Sequence, residues 1–156
     1  MWAAIGVTVL LASLGFSWYV QQKTATPPPQ AQASQPQLHT ETNPDKAITL
    51  KAGSFYYVKF TVAAGAYNTN LKGHFSATGG SGSDIEAFVV TEDDFVNWQN
   101  RHPVHPLYSS GRVTQETLDV ALPADAGTYY LVFNNRFSFI SPKAVQTDVN
   151  LTYYTR

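Results

Sequence analysis

From Lys46 to the end of the chain, short segments of alternating apolar and polar residues are separated by turn-forming residues. In one such segment Val58, Phe60 and Val62 fall on one face, with polar residues between them. Alternation with a period of two places one set of side chains on a core and the other in water, as in a β-strand. Seven or eight such segments without a long helical pattern predict an all-β fold, an antiparallel β-sandwich.

The clearest strand pair lies between Gly127 and Val149. The first strand is apolar on both faces, which is expected when both faces of a strand are covered. Asn134 and Asn135 interrupt it, because asparagine favours turn conformations. After Pro142 a second strand follows, with one apolar face and one polar face. The sequence therefore predicts two sheet strands joined by a structured loop.

Composition excludes several kinds of function. The net charge of −1 provides no basic excess to attract nucleic acid, so we expect no nucleic-acid partner. The chain has no cysteine, which excludes disulfides, thiolate zinc sites and cysteine nucleophiles. A high content of aromatic residues and a low content of charged residues suit a β-domain that folds without disulfide bonds.

The N-terminal residues 2–20 form an apolar run without a charged residue. At 1.5 Å per residue such a helix is about 28 Å long, close to the thickness of the hydrocarbon core. Residues 1–20 therefore predict a single-pass transmembrane signal-anchor, with a cleaved signal peptide as the alternative. Lys23 alone would favour a cytoplasmic domain, but β-domains behind such an anchor more often lie outside. We expect a membrane protein with an extracytoplasmic β-domain.

Two further boundaries follow from composition. Residues 21–45 are rich in proline and glutamine and contain almost no large apolar side chain, which predicts a disordered linker. Residues 46–156 contain all the predicted strands and form the predicted β-sandwich.

One group of residues is a candidate ligand surface. Aromatic rings with polar neighbours suit contacts with a sugar or a peptide, and the segment from residue 95 to 108 contains Phe95, Trp98, His102, His105 and Tyr108. The two histidines are three residues apart, but prolines disfavour a helix there and no third ligand is apparent. We predict no metal site and no cofactor.

Catalytic signals are weak. Ser81 lies in a glycine-rich loop that fits neither the nucleophile elbow nor a phosphate loop. A hydrolase would require Ser81 or Asp84 within hydrogen-bond reach of His74 or His102. The acidic residues Asp93 and Asp94 suit a helix N-terminus. We predict that the protein is not an enzyme.

The C-terminal half resembles the GOLD (Golgi-dynamics) domain, the lumenal β-sandwich of cargo receptors of the early secretory pathway. The resemblance lies in Asp84-Ile85-Glu86, Tyr108-Ser109-Ser110-Gly111 and Gly127-Thr128-Tyr129, and then in an ending that contains Asn134, Asn135, Ser138, Pro142 and Lys143. It implies a GOLD or jelly-roll-like sandwich and a protein-interaction role, with these five residues structural. Val132 stands where the family has a second cysteine, and the family's C-terminal membrane span has no counterpart here, so coat binding is not carried over.

The leading hypothesis is a membrane-tethered, non-catalytic binding module that engages a protein or an envelope component. The alternatives are a carbohydrate-binding or peptidase-associated sandwich and an unrecognised hydrolase. For the loop after Asn134 we expect a structural role in directing two strands between sheets rather than ligand binding. We also expect Lys143 or Arg136 to pair with Asp148 or Asp84.

Overall fold

The computed structural model describes residues 34–80 and 82–156. They form eight strands and one helix: β1 (Gln37–Leu50), β2 (Phe55–Val62), β3 (Tyr67–Thr78), β4 (Ile85–Thr91), α1 (Glu92–Gln99), β5 (Tyr108–Val113), β6 (Gln115–Ala121), β7 (Gly127–Asn134) and β8 (Lys143–Thr155). The predicted membrane segment and the linker up to residue 33 lie outside the described residues.

Within the described part of the chain, no helix has the length and apolarity needed to cross a bilayer.

The strands form two four-stranded antiparallel sheets, in the orders β1-β8-β3-β6 and β2-β7-β4-β5. Strand pairing is nested: β1 pairs with β8, β2 with β7, β3 with β6 and β4 with β5. The chain thus resembles a long hairpin that is rolled up, with α1 in the connection at its tip. One buried core contains side chains of both sheets, and Phe75 of the first sheet meets Phe133 of the second at 5.4 Å between ring centroids. The predicted antiparallel β-sandwich is confirmed at this level.

Strand β7 is covered on both faces, as its sequence predicts. Tyr129, Leu131 and Phe133 enter the main core. Tyr130 and Val132 point to the opposite side, where they join a second cluster on the outside of the sheet. We call this second cluster the outer cluster; its members are Phe55, Phe88, Val90, Phe95, Trp98, Tyr130 and Val132. It is covered by α1, so a run with no polar face is explained by burial on both sides.

The short helix predicted from the acidic residues after β4 is present as α1. Thr91 caps it, because its Oγ1 accepts a hydrogen bond from the backbone N–H of Asp94 at 3.2 Å. Glu92, Asp93 and Asp94 occupy the first turn, where negative charge is favourable next to the helix N-terminus. The helix N-terminus therefore explains why these three acidic residues are adjacent in the sequence. Phe95 is the residue that α1 buries in the outer cluster.

The predicted boundary between linker and domain needs correction. Composition predicts a linker over residues 21–45, but β1 begins at Gln37 and pairs with β8 from Gln37 to Asn43 and again from Lys46 to Leu50. His39 illustrates the contact, since its ring stacks on Tyr153 at 4.9 Å and its Nε2 lies 2.8 Å from Thr155 Oγ1. An edge strand tolerates polar residues, and it tolerates proline where the pairing register shifts, as it does between Asn43 and Lys46. The polar composition of residues 37–43 therefore reflects an edge strand.

Candidate functional site

The loop between β7 and β8 (residues 135–142, the β7–β8 loop) carries the chain from the second sheet to the first. Asn135 is fully buried at its base. The Asn135 side-chain Nδ2 donates to the backbone carbonyls of Lys51 and Ser141, each at 3.1 Å. Asn134 Oδ1 accepts from the backbone N–H of Arg136 at 2.9 Å. Both asparagine side chains therefore hold the backbone at the base of the loop.

Lys143, the first residue of β8, forms an ion pair in which its own side chain is buried. Its Nζ lies 2.7 Å from Asp84 Oδ1, and the Lys143 side chain is only 2% exposed. The hydrogen bond from Lys143 holds the pKa of the Asp84 carboxyl below its usual value. This is one of the pairs expected from the sequence. The contact joins the start of β8 to the residue that precedes β4.

The apex of the loop is apolar and projects into solvent. Phe139 is 94% exposed and Ile140 is 89% exposed. Ser138 and Ser141 close the turn beneath them: Ser138 Oγ donates to the Ser141 carbonyl at 3.0 Å and lies 3.2 Å from the Ser141 backbone nitrogen. The turn therefore holds two adjacent apolar side chains away from the core. We refer to Phe139 and Ile140 as the apex.

Two arginines line a pocket beside the apex. The pocket has a volume of about 510 Å³ and contains Ala52, Gly53, Arg101, Arg136, Ser138 and Phe139; we call it the arginine pocket. The Arg136 guanidinium lies over the rings of Trp98, at 4.3 Å, and Phe55, at 4.6 Å, which fixes its position on the outer cluster. In residues 34–80 and 82–156 neither arginine forms an ion pair with a carboxylate.

Arg101 reaches this position through an unusual backbone conformation. It follows α1 with φ of +64°, in the left-handed region that usually favours glycine at the end of a helix. Its N–H donates to the Trp98 carbonyl at 3.0 Å. Burial lowers the pKa of the Arg136 guanidinium, and the positive charge of Arg101 lowers it further. Two cations therefore share one pocket, and a bound anion would relieve their repulsion.

A third arginine flanks the loop on its other side. A pocket of about 360 Å³ there includes Arg112, Phe137, Phe139 and Ile140. The Arg112 guanidinium lies 3.9 Å from the centroid of the Phe137 ring. The carboxylates of Asp84 and Glu86 lie near this end of the sandwich. Asp84 is paired with Lys143, and Glu86 accepts a hydrogen bond from Asn134 Nδ2 at 2.6 Å.

The candidate aromatic surface is divided by the sheet. Phe95 is buried, and Trp98 is half-buried among Phe55, Phe88 and Arg136 on the outside of the sheet. Tyr108 packs against the main core instead. A small pocket of about 160 Å³ lies between Trp98 and the segment after α1. The rings predicted to lie together therefore contact two different cores.

The two histidines of this segment, His102 and His105, are exposed in the loop between α1 and β5. Among the described residues, no three side chains of His, Asp or Glu come close enough to hold a metal ion. Of the hydrolase candidates, Asp84 is bound by Lys143, and His74 lies in β3 of the first sheet. Ser81 lies outside the described residues.

Sequence reasoning missed the apex and the arginine pocket. The adjacent apolar residues Phe139 and Ile140, between two serines in a loop, were a readable signal for the apex. No comparable signal exists for Arg101 and Arg136, which are distant in sequence and meet only because α1 folds back over the outer cluster.

Comparisons with known proteins do not assign the chain to a family. No protein-family model matches the chain, and no curated protein is significantly similar to it. The resemblance to the GOLD domain therefore stays a prediction.

Proposed function

We propose that this protein is a membrane-tethered, non-catalytic binding module that uses the apex of the β7–β8 loop to engage its partner. The observation that supports this is the exposure of two adjacent apolar side chains, Phe139 and Ile140, at 94% and 89%. An apolar side chain is stabilised by removal from water, and contiguous exposed apolar residues mark interaction sites. The buried base of the loop holds the apex in place, so binding would need little further ordering.

The proposed architecture is that of a jelly-roll sandwich of the GOLD type. Nested pairing of eight strands into two sheets supports the jelly-roll part, because such folds wrap one long hairpin into two sheets. The GOLD part is supported by the sequence resemblance, in which Asn134, Asn135, Ser138 and Lys143 are structural. Each of these four residues takes part in hydrogen bonds in or beside the β7–β8 loop.

The proposed membrane tether rests on residues 2–20, and the proposed extracytoplasmic location rests on the tendency of β-domains behind such an anchor to lie outside. A run of apolar residues of this length suits a membrane span. The non-catalytic part of the proposal rests on the absence of a recognised catalytic motif in the sequence; Asp84, one of the two residues named for a hydrolase, is engaged by Lys143.

Site-specific photo-crosslinking in cells tests the proposed function. The full-length chain would carry a photoreactive amino acid in place of Ile140, and in a matched control in place of Leu38. Leu38 is also an exposed apolar residue, at 58%, but it lies near the start of β1, at the opposite end of the sandwich.

We expect a discrete adduct, with protein or lipid, from position 140 and not from position 38. We also expect Phe139→Ser to reduce that adduct. Equal labelling from both positions, or none from position 140, would contradict the proposed function.

A further inference from the structure

The shape of the apex restricts the kind of partner it fits. A stable protein interface buries about 800 Å² on each partner, which is far more than two side chains at the end of a turn present. Phe139 and Ile140 project from the loop and do not line a broad apolar face. Projecting apolar side chains flanked by cations suit a soft surface into which they can enter, such as the boundary between lipid headgroups and acyl chains.

The charges behind the apex indicate the sign of that surface. Arg101 and Arg136 line one side of the loop and Arg112 the other. In the described part of the chain none of the three lies within ion-pair distance of a carboxylate. Asp84 lines the same pocket as Arg112 and attracts it, but its ion pair is with Lys143, and Glu86 accepts a hydrogen bond from Asn134. Guanidinium groups bind phosphate oxygens well, since their planar donors match the geometry of phosphate.

We propose that the end of the sandwich with the β7–β8 loop docks on the surface of an anionic phospholipid bilayer. Phe139 and Ile140 enter the boundary between headgroups and acyl chains, and Arg101, Arg112 and Arg136 contact lipid phosphates. This inference rests on the proposed function, because it uses the same apex, and it adds the class of partner. The apolar part supplies affinity for any bilayer, while the arginines supply the preference for anionic lipid.

A vesicle-binding assay with the full-length chain tests the inference. The protein would be carried in neutral phosphatidylcholine nanodiscs, so that the apolar residues 2–20 do not meet the probe vesicles. The probes are vesicles of phosphatidylcholine alone and vesicles in which about a third of the lipid is phosphatidylglycerol. Bound protein is measured by co-flotation at several salt concentrations.

We expect the protein to bind the anionic vesicles at least tenfold more tightly than the neutral ones, with weaker binding as salt rises. Phe139→Ser should weaken binding by about tenfold or more, because burial of a large apolar side chain is lost. Arg101→Gln should weaken it by about fivefold on anionic vesicles and by much less on neutral vesicles, whose phosphate is offset by the choline charge. Thermal melts verify that the variants fold, as expected for exposed positions.

Two controls match these variants away from the loop. Leu38→Ser removes an exposed apolar side chain at the far end of β1, and Lys59→Gln removes an exposed cation from β2. Both should bind vesicles as the wild-type protein does. Equal binding to neutral and anionic vesicles, or wild-type binding by Phe139→Ser, would overturn the inference.

Competition with inorganic phosphate distinguishes docking on lipid from binding of free phosphate by the arginines. At constant ionic strength, 20 mM inorganic phosphate should leave vesicle binding nearly unchanged, since a single ion replaces neither the apolar contact nor the several lipid phosphates. Loss of vesicle binding in phosphate would show that the arginines form a site for the free ion and would overturn the lipid assignment.

A tryptophan at the apex reports insertion directly. In the Phe139→Trp variant, brominated phosphatidylcholine in anionic vesicles should quench the new fluorescence, relative to the wild-type protein with its other tryptophans. Absence of added quenching in bound protein would refute insertion. A discrete protein adduct at position 140, together with no vesicle binding, would refute the lipid partner and leave the proposed function standing.

Discussion

Removing one partner of the buried ion pair between Lys143 and Asp84 should destabilise the sandwich strongly. Asp84→Ala leaves the Lys143 ammonium, 2% exposed, without its counter-charge. Breaking such a pair costs about 3–5 kcal/mol. Because the Asp84 side chain is 27% exposed, water can reach part of the site, and we expect the lower value, about 3 kcal/mol.

This loss is large enough to measure by thermal unfolding. A domain of about 120 residues has an unfolding entropy of about 0.25 kcal/mol/K, so about 3 kcal/mol lowers the melting temperature by about 12 °C. The double variant Asp84→Ala with Lys143→Met should recover most of this loss, because a buried apolar side chain replaces the uncompensated charge. Circular dichroism melts and denaturant titrations of the wild type, both single variants and the double variant give the coupling energy.

The control is the exposed ion pair between Lys72 and Asp119, whose side chains are 59% and 62% exposed. Asp119→Ala should leave the melting temperature nearly unchanged, since water screens the pair. The reasoning about Lys143 is refuted if Asp84→Ala shifts the melting temperature by less than about 3 °C. It is also refuted if the double variant is less stable than both single variants.

Three further predictions concern stability. Asn135→Ala removes two side-chain hydrogen bonds from a fully buried position and should lower the free energy of unfolding by about 2–3 kcal/mol. The folded variant should still bind vesicles within about threefold of wild type, measured by co-flotation. A loss of vesicle-binding free energy larger than the loss of unfolding free energy would contradict the structural role. The Asp84 carboxyl has a pKa below its usual value, so its stabilisation is present above the unfolded pKa of about 3.9 and is lost as pH falls through the lower, folded pKa. The difference in melting temperature between wild type and Asp84→Asn should therefore narrow as melts are taken below about pH 4, and a constant difference would contradict the assignment. An added Cβ at Gly73 would overlap the Asp148 carbonyl on the neighbouring strand, whereas one at Gly127 meets only ordinary contacts. In denaturant titrations Gly73→Ala should lower the free energy of unfolding by more than about 4 kcal/mol, and Gly127→Ala by much less. Similar losses in the two variants would refute this difference.

Much of the fold was predictable because the alternation of apolar and polar residues along a strand shows which of its faces is buried. The double-sided burial of β7, the short helix after β4 and the pair formed by Lys143 and Asp84 were all expected from residue patterns. The first part of β1 was not, because residues 37–43 carry the polar composition of a linker. Only the tertiary pairing with β8 makes this segment a strand.

The candidate site was less predictable, because it depends on which residues share a face. Trp98 and Tyr108 are close in sequence, but the β-sheet separates their side chains into two cores. Arg101 and Arg136 are far apart in sequence, but the end of α1 and the start of the β7–β8 loop bring them to one pocket. Local patterns do not contain this information, since it depends on how α1 lies across the sheet.

The buried Asn135 has a mechanical consequence. Gln37 at the start of β1 pairs with Thr155, and the fourteen residues of β1 extend about 45 Å from there toward the β7–β8 loop. The Asn135 amide joins that loop to Lys51, the residue after β1. A force applied between the chain ahead of Gln37 and a ligand held at the apex would run along β1. Its hydrogen bonds with β8 would then bear the load in shear, many at once, rather than peel apart one after another.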